Sequence, residues 1–321
     1  MLEKYKEIID EALLKYLNSL PGHSIYDPIK YIVNLGGKRF RSSLTLLAAD
    51  LYGGDPILAI KEAMAIELFH NFTLVHDDIM DEATLRRGKQ TVHEKWSRND
   101  AILSGDLLYA LVNQILAESK PSSQSIHSVF HQTAIEVCEG QSFDMIFEEK
   151  NMVSEEEYLN MIKLKTAVLV ACALKMGAMV GGASEKDAHF LYNFGINLGI
   201  AFQIHDDILD AYPIGEKFGK KIGGDILEKK KTLMFISMLN QLSKKEKIFI
   251  ESLYNSNEIE DKEIVNEIKT LYSRYGVFDL AVQRKDDFHT EAVSNIMQTS
   301  LNENSKEALL LFAENLMNRN Y

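Results

Sequence analysis

The sequence is poor in cysteine, poor in proline and short of basic charge, and each shortage closes off a class of protein. Two cysteines, Cys138 and Cys172, stand far apart in apolar, helical-looking sequence. That is too few for a disulfide framework and the wrong spacing for a thiolate zinc site, so a reducing compartment, the cytoplasm, is the expected location. Lys and Arg number 35 against 47 Asp and Glu, a net charge of −12. The long-range field therefore repels nucleic acid and anionic membrane surfaces, and an anionic ligand has to be held by a local cluster of cations or by metal. Long apolar runs are also missing. The most apolar stretch, Thr166 to Ala183, contains Lys175, Gly177, Gly181 and Gly182, which argues for a buried helix and against an integral membrane segment. The first ten residues mix charges into a helical pattern where a secretory signal would show a continuous apolar core.

What remains is ordinary globular composition, 46% hydrophobic and 26% charged, on a chain of 321 residues that is long enough to bury a sizeable core. Only five prolines occur, and apolar residues recur at three and four spacings through the proline-poor second half. This predicts a mainly α architecture. Between Lys61 and Asp81 the apolar positions cover more than one helical face, the pattern of a helix deep inside an all-helical domain. No sustained period-two alternation calls for strands. Nothing resembles a flexible interdomain linker, so residues 1–321 read as a single domain.

One short element occurs twice. Asp77-Asp78-Ile79-Met80-Asp81 and Asp206-Asp207-Ile208-Leu209-Asp210 share the pattern D-D-x-x-D, each preceded by a histidine, His76 and His205. In a helix the outer aspartates lie about one turn apart on one face, while the middle one points about 100° away. A solvated acidic face fits poorly, because both elements sit in apolar sequence and carboxylates placed there must pair with something. Two carboxylate pairs facing across a cavity would repel unless cations lay between them. All-oxygen ligands favour Mg²⁺, or Mn²⁺ as a substitute, and Mg²⁺ shares its shell readily with substrate phosphates. The repeat therefore predicts a diphosphate or triphosphate clamped between two aspartate-rich helices.

Cations flank both elements. Gly36-Gly37-Lys38-Arg39-Phe40-Arg41 places a double glycine before Lys38 and Arg41, where a helix start favours phosphate. Arg86-Arg87-Gly88 follows the first element, and guanidinium forks suit phosphate oxygens. Lys165-Thr166 opens the apolar helix, and Lys220 and Lys230 lie in or after the glycine-rich loop beyond the second element. His70, seven residues before Asp77, shares its helical face. Gln203, Asp206 and Asp210 share another, with Gly199 one turn earlier leaving room either for a ligand or for close helix packing.

In these motifs the chain resembles the polyprenyl synthetase family, the trans-isoprenyl diphosphate synthases of short-chain type, from roughly Tyr26 to Thr232. The motifs are GGKRFR at 36–41, ELFHNFTLVHDDIMD at 67–81, LRRG at 85–88, GD at 105–106, EGQSFD at 139–144, KT at 165–166, FQIHDDILD at 202–210 and GKKIGGD at 219–225. The resemblance implies a bundle of about ten or more helices around a deep central cavity, and a homodimer. It implies that Asp77, Asp81, Asp206 and Asp210 hold Mg²⁺ on an allylic diphosphate (dimethylallyl, geranyl or farnesyl), assisted by Arg86, Lys165 and Lys220. Lys38, Arg41, His70 and Arg87 would bind isopentenyl diphosphate without metal. Thr166 and Gln203 would lie beside the reacting carbons, with Lys230 and Asp144 as further candidates. The implied reaction is ionisation of the allylic diphosphate, head-to-tail addition and proton loss. No protein nucleophile is required, in keeping with the lack of a serine triad or reactive cysteine.

The resemblance also places Phe72 and Thr73 as chain-length residues. Thr73 lies one turn before Asp77, about 6 Å deeper, and Phe72 about 140° from Asp77 on an ideal wheel. By family likeness an aromatic beside a small residue points to geranylgeranyl diphosphate, with farnesyl diphosphate second. Two departures stand out. Lys229 replaces the family's usual glycine before the late lysine, and the C-terminus is reduced to Met317-Asn318-Arg319-Asn320-Tyr321. A terpene cyclase-like enzyme and a non-catalytic partner subunit of a prenyl synthase are the alternatives. The first would not need the Gly36 to Arg41 site, and the second would be expected to lose ligands.

Overall fold

A computed structural model describes residues 2–119, 123–213, 223–256 and 259–318. Almost everything described is α-helix, as the low proline content and apolar spacing predict. The helices start where side chains satisfy their first backbone N–H groups. Ser97 accepts from the Asp100 amide ahead of the helix Arg98–Ala117, and Ser154 and Ser243 form reciprocal capping boxes with Glu157 and Glu246.

The chain divides into two compact units. The first comprises Met1–Ala134, Leu169–Asn193 and Gln298–Ser305, and the second Ile135–Val168, Phe194–Met297 and Lys306–Tyr321. In the first unit the helix Ile60–Met80 is the central element. Ala63, Ile66, Leu68, Phe69 and Val75 on it are fully buried, so its apolar positions do cover more than one face. It packs most extensively on the helix Arg98–Ala117. In the second unit Tyr158, Ile204, Ile208, Met238, Ile268 and Tyr272 belong to one buried cluster. The helix Val168–Val180 is only 13 residues long, and no helix among the described residues is long and apolar enough to cross a membrane.

Two local features depart from a plain helical reading. Leu85–Arg86 pairs antiparallel with Lys89–Gln90 in a two-strand hairpin. Arg87 and Gly88 form its turn with φ of 53° and 72°, the positive values of a tight hairpin turn. Strands of two residues are too short to show period-two alternation. Residues Lys163–Ala167 form a π-helical turn between the helices Glu155–Ile162 and Val168–Val180. Such turns interrupt regular packing and often mark functional positions. This one carries Lys165 and Thr166.

Candidate active site

The first aspartate element ends the helix Ile60–Met80, with Asp81 as its C-cap. The helix wheel turns Asp78 inward, where it is 1% exposed, while Asp77 is half-buried and Asp81 exposed. Asp78 is neutralised by Arg86: Nε donates to both carboxylate oxygens at 2.8 and 2.9 Å, and Nη2 donates to Oδ1 at 2.6 Å. The hairpin thus delivers Arg86 to the middle carboxylate and puts Arg87 at its tip. The Arg87 guanidinium lies against Gly37, so closely that a Cβ there would sit 2.9 Å from Nη1 and Nη2. Arg41 Nη1 lies 3.3 Å from His70 Nε2, placing the imidazole proton on Nδ1. Burial, reinforced by Arg41, Arg87, Arg86 and Arg39, holds the His70 pKa well below its usual value, so the ring is neutral at neutral pH. Lys38, next to Arg39 in the chain, is exposed.

Phe72 faces other aromatic side chains: Tyr109 on the helix Arg98–Ala117 at 5.5 Å and His76 at 4.8 Å between ring centres. Phe69 joins them, 5.2 Å from Phe130. Thr73 turns its hydroxyl back to the His70 carbonyl, 2.9 Å. Tyr109, a neighbour of Phe72 across the unit, was not legible in the sequence, where it is one aromatic in an apolar helix.

The second element lies in the last turns of the helix Glu185–Ala211, with Asp210 its penultimate residue. Asp206 and Asp210 are half-buried and Asp207 is buried. Here the donors to the middle carboxylate are neutral: Tyr158 OH at 2.6 Å and the Gln203 amide nitrogen at 2.9 Å. Burial, with Asp225 nearby, pushes its pKa up to about 7 against the pull of those two donors. Gln203 gives its NH₂ to Asp207 and accepts the Thr166 hydroxyl on Oε1 at 3.2 Å. Its carbonyl end is therefore fixed beside Thr166. Asp210 accepts the Asp225 backbone N–H at 3.0 Å, steadying the start of the helix Gly224–Leu227.

Asp144, Lys165, Thr166, Gln203 and Lys230, all picked out in the sequence, line one pocket of about 140 Å³ within the second unit. Tyr158, Asp207 and Asp225 line it too. Lys165 is ion-paired with Asp144, and Lys230 lies 3.4 Å from Asp225 and 3.3 Å from Glu228. Burial works against the Lys230 ammonium, but these carboxylates more than offset it and raise its pKa. Lys229, in the glycine position, adopts φ 56°, the left-handed region that glycine favours. Gly199 serves helix packing: a Cβ there would lie 2.6 Å from Ala167 Cα. Lys220 lies outside the described residues, as do 319–321 of the C-terminus.

Each aspartate element offers hard oxygen donors at the C-terminal, partially negative end of a helix, where a cation is favoured. Among the described residues no group of three or more His, Cys, Asp or Glu converges as a self-sufficient metal cage. One or two carboxylates completed by phosphate oxygens is the arrangement Mg²⁺ commonly takes, and the residues present fit it.

The family model described as Polyprenyl synthetase matches residues 23–272. A short chain isoprenyl diphosphate synthase of Methanothermobacter thermautotrophicus is 36% identical over 100% of this chain and 98% of its own. A geranylgeranyl pyrophosphate synthase of Geoglobus acetivorans is 40% identical over 90% of this chain and 89% of its own. A solved geranylgeranyl pyrophosphate synthase superposes with a TM-score of 0.93 at 39% identity, covering 100% of this chain and 99% of that one. The chain belongs to the polyprenyl synthetase family and is a trans-prenyltransferase enzyme. The resemblance carried by its motifs and the all-α class are both borne out.

Proposed function

We propose that this enzyme condenses isopentenyl diphosphate with an allylic diphosphate, head to tail, and that its product is geranylgeranyl diphosphate. The observation that carries the reading is the pocket in which Lys165, Thr166, Gln203 and Lys230 meet beside the second aspartate element. The geranylgeranyl synthase relative and the aromatic at Phe72 support the product.

Asp77, Asp81, Asp206 and Asp210 are the proposed Mg²⁺ ligands. When bound, Mg²⁺ neutralises charge on the departing diphosphate, usually the largest electrostatic contribution in such chemistry. Arg86, Lys165 and Lys220 add cationic donors to the same leaving group. Arg86 is already oriented by Asp78, and Lys165 by Asp144. Gln203, with its amide direction fixed by Asp207, keeps a carbonyl lone pair for positive charge developing on the allylic carbon, and the Thr166 oxygen lies alongside. Lys38, Arg41, neutral His70 and Arg87 hold isopentenyl diphosphate through its phosphates, and the released diphosphate takes the proton lost after addition. Residues 1–321 act as a single catalytic domain. The enzyme works in the cytoplasm as a homodimer.

Incubating the purified protein with Mg²⁺, isopentenyl diphosphate and each of dimethylallyl, geranyl and farnesyl diphosphate, then reading products by mass spectrometry, tests this directly. Geranylgeranyl diphosphate is the expected product, and farnesyl diphosphate would shift the length assignment. Cyclic hydrocarbon made without isopentenyl diphosphate would instead identify a cyclase, and no turnover a non-catalytic subunit. Sedimentation velocity measures the dimer.

A further inference from the structure

Arg39 is the one cation of the Gly36 to Arg41 segment that the site leaves without a role, and it is the buried one, 6% exposed. It precedes the helix Phe40–Leu51 at φ 49° and ψ 33°, a left-handed conformation that residues other than glycine adopt infrequently. Such a conformation persists where its surroundings over-determine it. All three guanidinium nitrogens are engaged here. Nε donates to Asp10 Oδ1 at 2.8 Å, Nη1 to Glu67 Oε1 at 2.9 Å and Nη2 to the Val33 carbonyl at 2.7 Å. Glu67, 4% exposed, takes a second bond on Oε2 from the Ser42 hydroxyl, 2.7 Å, in the first turn of the same helix. Burial opposes the charge on Arg39, but Glu67 and Asp10 more than offset it.

The consequence is a fixed relation between two elements. Glu67 stands three residues before His70 on the helix Ile60–Met80, and Arg39 stands between Lys38 and Arg41. The buried pair therefore bolts the start of the helix carrying Arg41, with Lys38 just before it, to the helix carrying His70. Glu67 also favours the charge on Arg87, against the burial that depresses it. We infer that Arg39 and Glu67 are positioning residues for isopentenyl diphosphate, holding its cationic donors in place without touching it. This rests on the condensation reading above. Lys165 and Lys230, proposed for the other diphosphate or its surroundings, have carboxylate partners outside this network.

The test is steady-state kinetics of Arg39→Lys, which keeps the charge and loses the planar fork, and of Glu67→Gln. The double variant Arg39→Met with Glu67→Met removes both charges together, because deleting one alone strands a buried partner. The expected result is a KM for isopentenyl diphosphate raised on the order of tenfold, with the KM for the allylic diphosphate within about twofold of wild type. A purely structural role would not split the two constants. Equal movement of both KM values, or no movement of either, overturns the inference while leaving wild-type condensation intact. Loss of the folded state in every variant, followed by circular dichroism, also overturns it, since Arg39 would then be a stability residue alone. Absence of condensation by wild type overturns the underlying reading and this inference with it.

Discussion

The two D-D-x-x-D elements are near copies in sequence and both lie at the C-terminal ends of helices, but the middle carboxylate is held differently in each. Asp78 is buried against a guanidinium that reaches it from a hairpin, so charge answers charge. Asp207 is buried against a phenol and an amide, and its pKa rises to about 7. The surrounding positions diverge as well. Seven residues before the first aspartate stand His70 and Gly199, and five before stand Phe72 and Ala201. The shared pattern presents two outer carboxylates, and the differences assign each element a separate neighbourhood: arginine cations and aromatic packing in one, oriented carbonyl and hydroxyl oxygens in the other.

The largest expected effect falls where the elements agree. Asp77→Asn and Asp206→Asn should each lower kcat/KM by roughly 10²- to 10³-fold, the cost of losing a major electrostatic contribution to the transition state. A loss confined to one of them, in steady-state assays at saturating Mg²⁺, would break the equivalence.

The next separates the middle residues. Asp78→Asn leaves Arg86 without its counter-charge. Breaking a buried pair costs about 3–5 kcal/mol, but the Arg86 side chain is 26% exposed and can regain water. A loss of about 2 kcal/mol is expected, against about 1 kcal/mol or less for Asp207→Asn, whose donors are neutral. Urea denaturation of the two variants sharpens the contrast, and equal losses would abolish it.

On product rather than rate, Phe72→Ala gives the first element the small residue the second already has at that place. The prenyl alcohols recovered after dephosphorylation should lengthen by one or more C5 units. Tyr109→Ala, removing the ring packed on Phe72, should lengthen them less. Unchanged products would refute the aromatic assignment.

The smallest effect is one of pH. The His70 pKa is depressed in the folded state, so its contribution to stability is complete above about 6.5 and is lost as pH falls below that value. The melting temperature should therefore drop between pH 7.5 and 5.5 more steeply in wild type than in His70→Gln, by differential scanning calorimetry. Gly199, at the matching position, adds no such dependence.

Much of this was legible beforehand. Spacing alone put Asp77 with Asp81 and Asp206 with Asp210 on single faces and sent Asp78 and Asp207 elsewhere, because helix geometry is local. Scarce proline and apolar periodicity were enough for the all-α class. Tyr158 and Tyr109 were not legible, since each meets its partner across helices, and Glu67 and Asp225, though inside the family motifs, carried no sign of what they contact. The hairpin was too short to announce itself. Of the two readings open for Gly199, packing against Ala167 is the one the coordinates show.

The sequence by itself determined which chemical groups the enzyme owns and which lie one helical turn apart, because a regular helix converts separation along the chain directly into direction. Only the tertiary structure decided what else answers each buried charge: Arg86 for Asp78, Tyr158 for Asp207, Glu67 for Arg39. The Tyr158–Asp207 and Arg39–Glu67 pairings depend on how segments distant in the chain meet, and Arg86–Asp78 on the hairpin folding back to the helix end. Burial leaves each charge in need of a partner without specifying which residue supplies it.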